Sequence, residues 1–287
     1  MHLRGERVSV GDTDLFVAEA GLRDGYPMFV LHGGPGLDHH TFGDYLDPLG
    51  ARGYRLLFVD QRGQGASGPS DPATWTISAM AEDVRRLGRS LSLERYAVLG
   101  YSFGALVALQ DAVDAPGAAS QTVISAGIPS ARFLAGVNDQ LAAFEPMELR
   151  EQVAASWAAE ANVKTEEEFA AILRDQLPFL FADPVDPRIV DYIRRSGGGR
   201  YAPEVLRALS GDYGAIEVED RLGEITQPTL VLAGRHDRVC PVEAAELMAA
   251  KILHAELVVF EHSGHMMFVE EPDGYVEVVD EFLRRHR

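Results

Sequence analysis

The chain has 287 residues, of which 46% are hydrophobic, and this length and composition predict a soluble globular protein with a sizeable core. Its 44 acidic residues outnumber its 26 basic residues, and the net charge of −18 repels phosphate backbones and anionic membranes. We therefore expect neither nucleic acid nor a membrane as a partner.

Two features of the sequence bear on the compartment. Residues 1–7 contain no apolar segment of the kind that a secretion signal needs, and no later stretch offers the run of about 18 apolar residues that spans a bilayer. The single cysteine, Cys240, excludes an internal disulfide and suits a reducing compartment. The sequence therefore predicts a cytoplasmic protein, and it leaves open whether the protein is a homo-oligomer.

Strands and helices alternate along most of the chain. Residues 7–19 alternate apolar and polar side chains around a Gly-Asp-Thr turn, which indicates a hairpin, and the later strands are short apolar runs typical of burial on both faces. After the hairpin we predict strands at 26–31 and 54–59, a helix at 78–91, a strand at 96–99, a helix at 105–112, strands at 121–124 and 229–232, a helix at 242–253, a strand at 257–260 and a helix at 273–285. This order predicts an α/β fold with a mostly parallel, doubly wound sheet.

One long segment interrupts the alternation. Residues 130–214 are rich in Ala and Glu with helical periodicity, notably at 138–159 and 165–175, and they contain no convincing strand. We expect a helical cap at 130–214, inserted into a core made of residues 1–129 and 215–287. The glycines at 197–199 are interpreted as a flexible turn within this cap.

A serine lies at the junction between the strand at 96–99 and the helix that follows. The sequence there is Gly100-Tyr101-Ser102-Phe103-Gly104, and small residues two before and two after the serine let the strand and helix backbones approach closely. This pattern is typical of a nucleophile elbow, in which a strained turn exposes the hydroxyl. A chance match in an ordinary turn is the alternative, so the surrounding residues must decide.

A serine nucleophile needs a histidine base and an acid that orients it. In an open α/β sheet these groups gather at the carboxyl ends of the strands, in the chain order serine, acid, histidine. Asp237 follows the strand at 229–232, and His265 follows the strand at 257–260. Asp237 is alternatively a turn residue, and His262 and His236 are rivals for the base; we favour His265 because Gly264 gives its loop freedom.

The negative charge that develops during attack on a carbonyl needs two backbone N–H donors. Phe103, directly after the serine, is the first candidate, and Gly34 in the HGGPG loop at 32–36 is the second. Gly33 and Tyr101 lie beside these donors in the sequence and are candidate substrate contacts.

These motifs together resemble those of the α/β hydrolases, and in particular the proline iminopeptidase group. The resemblance is carried by HGGPG at 32–36, DQRGQGAS at 60–67, the elbow, Asp237 and His265. It implies a Ser-His-Asp hydrolase with a helical lid, acting through an acyl-enzyme and requiring no metal or organic cofactor. It also implies a small-molecule or short-peptide substrate.

The sequence departs from that group in two places. Its elbows commonly read Gly-Gly-Ser-Trp/Tyr-Gly, and its members hold the substrate's amino group with glutamates, some of them just after the catalytic acid, where this chain has Arg238. Cap acids would have to outweigh that positive charge. The candidates are Glu145, Glu148, Glu204 and Asp212, each of which is alternatively a solvated charge on a helix face.

Three functional hypotheses follow from the sequence. The first is a serine hydrolase that releases an N-terminal proline or another small residue. The second is a carboxylesterase, lactonase or amidase for small acyl compounds, to which Arg238 would be an asset. The third is a ligand-binding protein that kept the fold without turnover.

Overall fold

The structure is a computed structural model that describes residues 4–287, so the expectation about residues 1–7 falls partly outside it. Eight strands form one sheet. They are β1 (Arg4–Ser9), β2 (Asp14–Gly21), β3 (Tyr26–Leu31), β4 (Tyr54–Asp60), β5 (Ala97–Tyr101), β6 (Gln121–Ser125), β7 (Thr229–Gly234) and β8 (Ala255–Phe260).

The strand order is β1-β2-β4-β3-β5-β6-β7-β8. Strands β1 and β2 form the predicted antiparallel hairpin, and β2 pairs antiparallel with β4. The remaining pairs, from β4 and β3 through to β8, are all parallel. Every residue of β5 and β6 is buried, as expected for central strands covered on both faces. The mostly parallel sheet that the alternating pattern predicts is therefore present, and its parallel strands end along one edge.

Eleven α-helices accompany the sheet in the part of the chain that the structure describes. They are α1 (Asp47–Ala51), α2 (Ile77–Ser90), α3 (Phe103–Asp114), α4 (Val137–Ala142), α5 (Met147–Ala159), α6 (Glu166–Leu180), α7 (Arg188–Arg195), α8 (Pro203–Leu209), α9 (Val242–Lys251), α10 (Met267–Glu270) and α11 (Pro272–Arg285). Among residues 4–287, none of the helices combines the length and apolar composition needed to cross a bilayer.

Helices α4 to α8 all lie in the segment between β6 and β7. The buried members of two small apolar clusters all lie in this segment, and Leu37 and Val239 from outside it pack against them. The helical periodicity at 138–159 corresponds to two helices, because the chain breaks before Pro146, which has no N–H to donate and disfavours a helical residue before it. The helix predicted at 165–175 continues to Leu180 from a capping box at Thr165. The division of the chain into core and cap remains a prediction.

Candidate active site

Three side chains that follow β5, β7 and β8 meet at the carboxyl edge of the sheet. The His265 Nε2 atom lies 2.9 Å from the Ser102 Oγ atom, and the His265 Nδ1 atom lies 2.8 Å from Asp237 Oδ2. With Nδ1–H donating to the carboxylate, Nε2 is the acceptor that faces the hydroxyl. The structure thus brings the predicted serine, acid and histidine into one hydrogen-bonded chain.

The backbone at Ser102 is strained. Its φ of 53° and ψ of −118° lie in a region that L-residues rarely adopt. A Cβ atom on Gly100 would lie 2.2 Å from the Gly104 carbonyl oxygen, and one on Gly104 would lie 2.3 Å from the Leu31 oxygen. The two glycines are therefore required by close backbone contact, which is the reason that the elbow motif predicts.

Backbone hydrogen bonds fix the orientation of the Asp237 carboxylate. Its Oδ1 atom accepts the N–H groups of Val239 and Cys240 at 2.8 and 2.9 Å, which leaves Oδ2 for the histidine. The rival histidines, His236 and His262, are exposed to solvent. Neither of them contacts Ser102.

The two proposed oxyanion donors, Gly34 and Phe103, line the same cavity as Ser102. Within residues 4–287, neither backbone N–H donates a hydrogen bond, so both are available to a ligand oxygen. Gly34 has a φ of 120°, which only glycine adopts without strain.

The DQRGQGAS segment holds the HGGPG loop in place. The Gln64 side chain accepts the Gly36 N–H at 2.6 Å, and the Gln61 N–H donates to His32 Nε2 at 3.1 Å. Burial lowers the pKa of His32, which keeps this imidazole neutral so that Nε2 can accept. Arg62, paired with Asp83 at 2.7 Å, anchors the segment to α2. This motif therefore supports the oxyanion loop and does not itself line the cavity.

The cavity above Ser102 has a volume of about 100 Å³ and is mostly apolar. A wider opening of about 830 Å³ adjoins it, and the two share Leu134, Trp157, Glu160 and Tyr213. The cavity is large enough for a small acyl group, whereas the opening offers room for a bulkier one.

Glu160 is the acid that lines both spaces, and sequence analysis missed it. The side chain is 7% exposed; its Oε1 accepts Gln176 Nε2 and its Oε2 accepts the Tyr213 hydroxyl, each at 2.6 Å. Its partners among the described residues are these two neutral groups and no cation, and burial raises the pKa of its carboxyl. A sequence signal existed, since Glu160 is the only charged residue between positions 152 and 163.

The four predicted cap acids do not line the cavity. All are exposed, since Glu145 pairs with Arg150, Asp212 accepts the N–H of Gly214, and Glu148 and Glu204 lie on outer helix faces. We therefore correct that prediction.

Arg238, predicted as a substrate contact, does not line the cavity. Its guanidinium donates to the carbonyls of Phe179, Phe181 and Ala182 at 3.1, 2.6 and 3.2 Å, at the end of α6. The orphan carbonyls of a helix end attract a cation, so the charge is turned away from the cavity.

Gly33 and Tyr101 support the elbow from behind and do not line the cavity. A Cβ atom on Gly33 would lie 3.1 Å from the Tyr101 ring and 3.2 Å from the Ser102 Cβ atom. The Tyr101 hydroxyl donates to the Met266 sulfur at 2.9 Å, on the side of a second cavity. Their predicted role as substrate contacts is corrected to one of packing.

Two clusters place potential metal ligands within 4.8 Å of one another, Asp38-His39-His40 and Asp237-Cys240-His265. In the first, His40 bonds to Asp38, and His39 bonds to Asp60. In the second, burial raises the pKa of Cys240 well above its ordinary value, so its sulfur remains a neutral thiol and a poor ligand. Hydrogen bonding within the protein accounts for both clusters.

Comparison with known proteins places this geometry in a family. The alpha/beta hydrolase fold family matches residues 26–272 of the chain. A proline iminopeptidase of Levilactobacillus brevis is 30% identical over 275 residues, which cover 91% of this chain and 89% of that protein. A proline iminopeptidase of Clostridium botulinum is 28% identical over 272 residues, which cover 91% of this chain and 90% of that one.

A solved structure shares the fold. An esterase from Exiguobacterium antarcticum superposes with a TM-score of 0.76 at 24% identity, over 98% of this chain and all of the esterase. The predicted fold and the predicted enzyme class, a serine hydrolase, are confirmed by these matches. The chain belongs to the α/β hydrolase fold family and is related to the proline iminopeptidases.

Proposed function

We propose that the protein releases an N-terminal proline or another small residue from a short peptide or amide, with Ser102 as the nucleophile. In this mechanism His265 Nε2 takes the hydroxyl proton as Oγ attacks the carbonyl carbon, and the imidazolium then gives that proton to the leaving amine. Asp237 holds the imidazole in the required tautomer and stabilises its charged form. The hydrogen bonds from serine through histidine to aspartate support these roles.

The N–H groups of Gly34 and Phe103 stabilise the oxyanion of the tetrahedral intermediate. Collapse of that intermediate expels the amine and leaves an acyl group on Ser102. Water activated by His265 then attacks the acyl carbon and restores the free serine. Neither N–H group donates a hydrogen bond within the described part of the chain, which supports their assignment.

The position of Glu160 is the reason for proposing a substrate with a free amino terminus. A buried carboxylate is costly unless a charge compensates it, and among the described residues this one receives only neutral donors. A protonated amine in the cavity would supply that charge and be recognised by it. The volume of about 100 Å³ suits a small residue such as proline.

Changing Glu160 to glutamine tests amine recognition. We expect the variant to lose about 10- to 100-fold in kcat/KM on proline p-nitroanilide, because a charged hydrogen bond is lost. Turnover of p-nitrophenyl acetate, which has no amine, should change little. Steady-state kinetics on both substrates provide the measurement.

The matched control is Glu148→Gln, because Glu148 is an exposed glutamate of the same inserted segment. It should behave as the unaltered protein does on both substrates. An equal loss of kcat/KM on the amide and the ester in Glu160→Gln would show that the residue does not recognise the amine. Equal cleavage of N-acetylated and free prolyl amides by the unaltered protein would show the same.

The second candidate function is a carboxylesterase, lactonase or amidase for small neutral acyl compounds. The mostly apolar lining of the cavity favours it, because such a surface binds acyl chains without requiring an amine. Rapid turnover of p-nitrophenyl esters without cleavage of prolyl amides would select this candidate.

Leucine side chains separate the cavity from a second one of about 110 Å³. Leu37, Leu173 and Leu180 line both. We expect Leu173→Ala to join the two spaces and to raise kcat/KM for p-nitrophenyl octanoate relative to the acetate by about tenfold, since each added apolar contact contributes to binding. A series of esters of increasing chain length measures the shift, with exposed Leu253→Ala as the control. An unchanged dependence of kcat/KM on ester chain length would contradict the proposal that these leucines separate the two cavities.

Residues 130–214 are proposed to form the cap over this site, which their five helices and two separate apolar clusters support. The cytoplasm is the proposed compartment, because the single cysteine, Cys240, is buried and unpaired and suits reducing conditions.

A further inference from the structure

The segment that ends α6 contacts the loop that carries His265. The His265 N–H donates to the Leu180 carbonyl at 2.7 Å. A Cβ atom on Gly264 would lie 2.6 Å from that carbonyl and 2.8 Å from the Ala182 nitrogen, so the two backbones touch. The placement of the histidine therefore depends on a segment outside its own strand.

Glu270, at the end of α10, ties these two backbones together. Its Oε1 atom accepts the Ala182 N–H at 2.8 Å, and its Oε2 atom accepts the Gly264 N–H at 2.9 Å. The side chain is 4% exposed. It contacts neither Ser102 nor Asp237, so its connection to the reacting groups runs through the backbone on either side of Gly264.

No described cationic side chain lies within ion-pair distance of this carboxylate. Arg188 donates to the Glu270 backbone carbonyl and pairs with Asp186, whereas Arg238 donates to the carbonyls at the end of α6.

The neighbouring Glu271 accepts from the Ser263 hydroxyl at 2.7 Å and from the His262 N–H at 3.2 Å, on the other side of the loop. The two backbone N–H groups are thus the partners of the Glu270 carboxylate itself.

We propose that Glu270 is a positioning residue, whose ionised carboxylate clamps the Gly264 N–H to the Ala182 N–H and thereby holds His265 against the segment that ends α6. An ionised carboxylate accepts both bonds without a proton of its own, whereas the neutral acid carries a hydrogen on one oxygen and loses part of this geometry. The inference builds on the proposed role of His265 as the base for Ser102.

Burial raises the pKa of Glu270 to about 7 from its ordinary value of 4.5. Because the folded protein favours the neutral acid, the contribution of this group to stability falls as the pH rises from 4.5 through about 7. Activity should change in the opposite direction, because the clamp requires the ionised form. If Glu270 had only a structural role, stability and activity would not change in opposite directions with pH.

The test is the rate at which diisopropyl fluorophosphate labels Ser102 between about pH 5 and about pH 9. In this reaction a bond forms between Oγ and phosphorus, fluoride leaves, and His265 takes the hydroxyl proton, so the rate reports the activated serine whatever the natural substrate is. For the unaltered protein we expect an acidic limb with two ionisations, because Glu270 must ionise in addition to the general base.

Glu270→Gln should remain folded, label about tenfold more slowly above pH 7, and show one ionisation in its acidic limb. The matched control, Glu281→Gln, changes an exposed glutamate of α11 and should reproduce the unaltered profile. Circular dichroism checks the fold of each variant.

Three results would overturn the proposed positioning role of Glu270. They are a single ionisation in the unaltered protein, an unaltered rate and profile in Glu270→Gln, and a loss in that variant by the same factor at every pH. If Glu270→Gln fails to fold, the number of ionisations in the unaltered protein decides. Failure of the unaltered protein to be labelled at any pH is a different outcome, because it would refute Ser102 as the nucleophile and with it the proposed function.

Discussion

Replacing Ser102 with alanine is expected to lower kcat by about 10⁶-fold, a loss comparable to removal of a whole catalytic triad. Alanine keeps the Cβ atom and the backbone conformation but removes the Ser102 Oγ atom, the only oxygen among residues 4–287 in hydrogen-bond contact with His265 Nε2. Without that oxygen no acyl-enzyme can form, and only the oxyanion donors and substrate binding remain. Steady-state kinetics on a p-nitrophenyl ester, together with the loss of fluorophosphonate labelling, measure the effect.

Ser92→Ala provides a control for backbone strain. Ser92 has a φ of 52°, almost the same as the 53° of Ser102, but it is exposed and remote from the cavity. Its replacement should leave kcat unchanged. Retention of more than about one part in 10³ of the activity by Ser102→Ala would remove this serine from the mechanism.

Changing Asp237 to asparagine is expected to lower kcat by about 10⁴-fold. The N–H groups of Val239 and Cys240 require an acceptor at the Oδ1 position, so the amide oxygen of the variant must point toward them. The amide NH₂ then faces His265 Nδ1 and donates to it, which moves the imidazole proton to Nε2. An Nε2 that carries a proton cannot accept one from Ser102.

The pH profile separates this cause from simple disruption. In the asparagine variant the residual rate should rise at alkaline pH, where hydroxide can remove the serine proton directly. Asp212→Asn, which changes an exposed acid outside the cavity, should retain full activity. A tenfold or smaller loss in Asp237→Asn would contradict the tautomer argument.

The elbow was predictable because its requirements are local. Gly100 and Gly104 must be small whatever surrounds them, since each backbone touches another within a few residues or on the next strand. The order of the strands placed Asp237 and His265 at the same edge for equally general reasons. Gly264 pointed to the histidine that hydrogen-bonds Ser102, but for a different reason from the predicted one. It permits contact with Leu180 and Ala182, and it does not have a positive φ.

The substrate contacts were not predictable in the same way. Which cap acid faces inward depends on how helices that are far apart in the sequence pack, and the break before Pro146 already changes the helix faces that periodicity suggested. Glu160 is buried through Gln176 and Tyr213, which are 16 and 53 residues away. Arg238 follows the acid in the sequence, but its hydrogen-bond partners lie 56 to 59 residues earlier.

The tryptophan at the boundary between the cavity and its opening has a practical consequence. The chain has two tryptophans, and the other, Trp75, donates its indole N–H to Ser70 and packs over Gly63, away from the cavity. In a Trp75→Phe background, Trp157 would be the sole indole emitter, located where a ligand passes. The protein therefore contains its own optical reporter of occupancy, which would let rapid-mixing fluorescence follow the arrival of unlabelled compounds before any bond is broken.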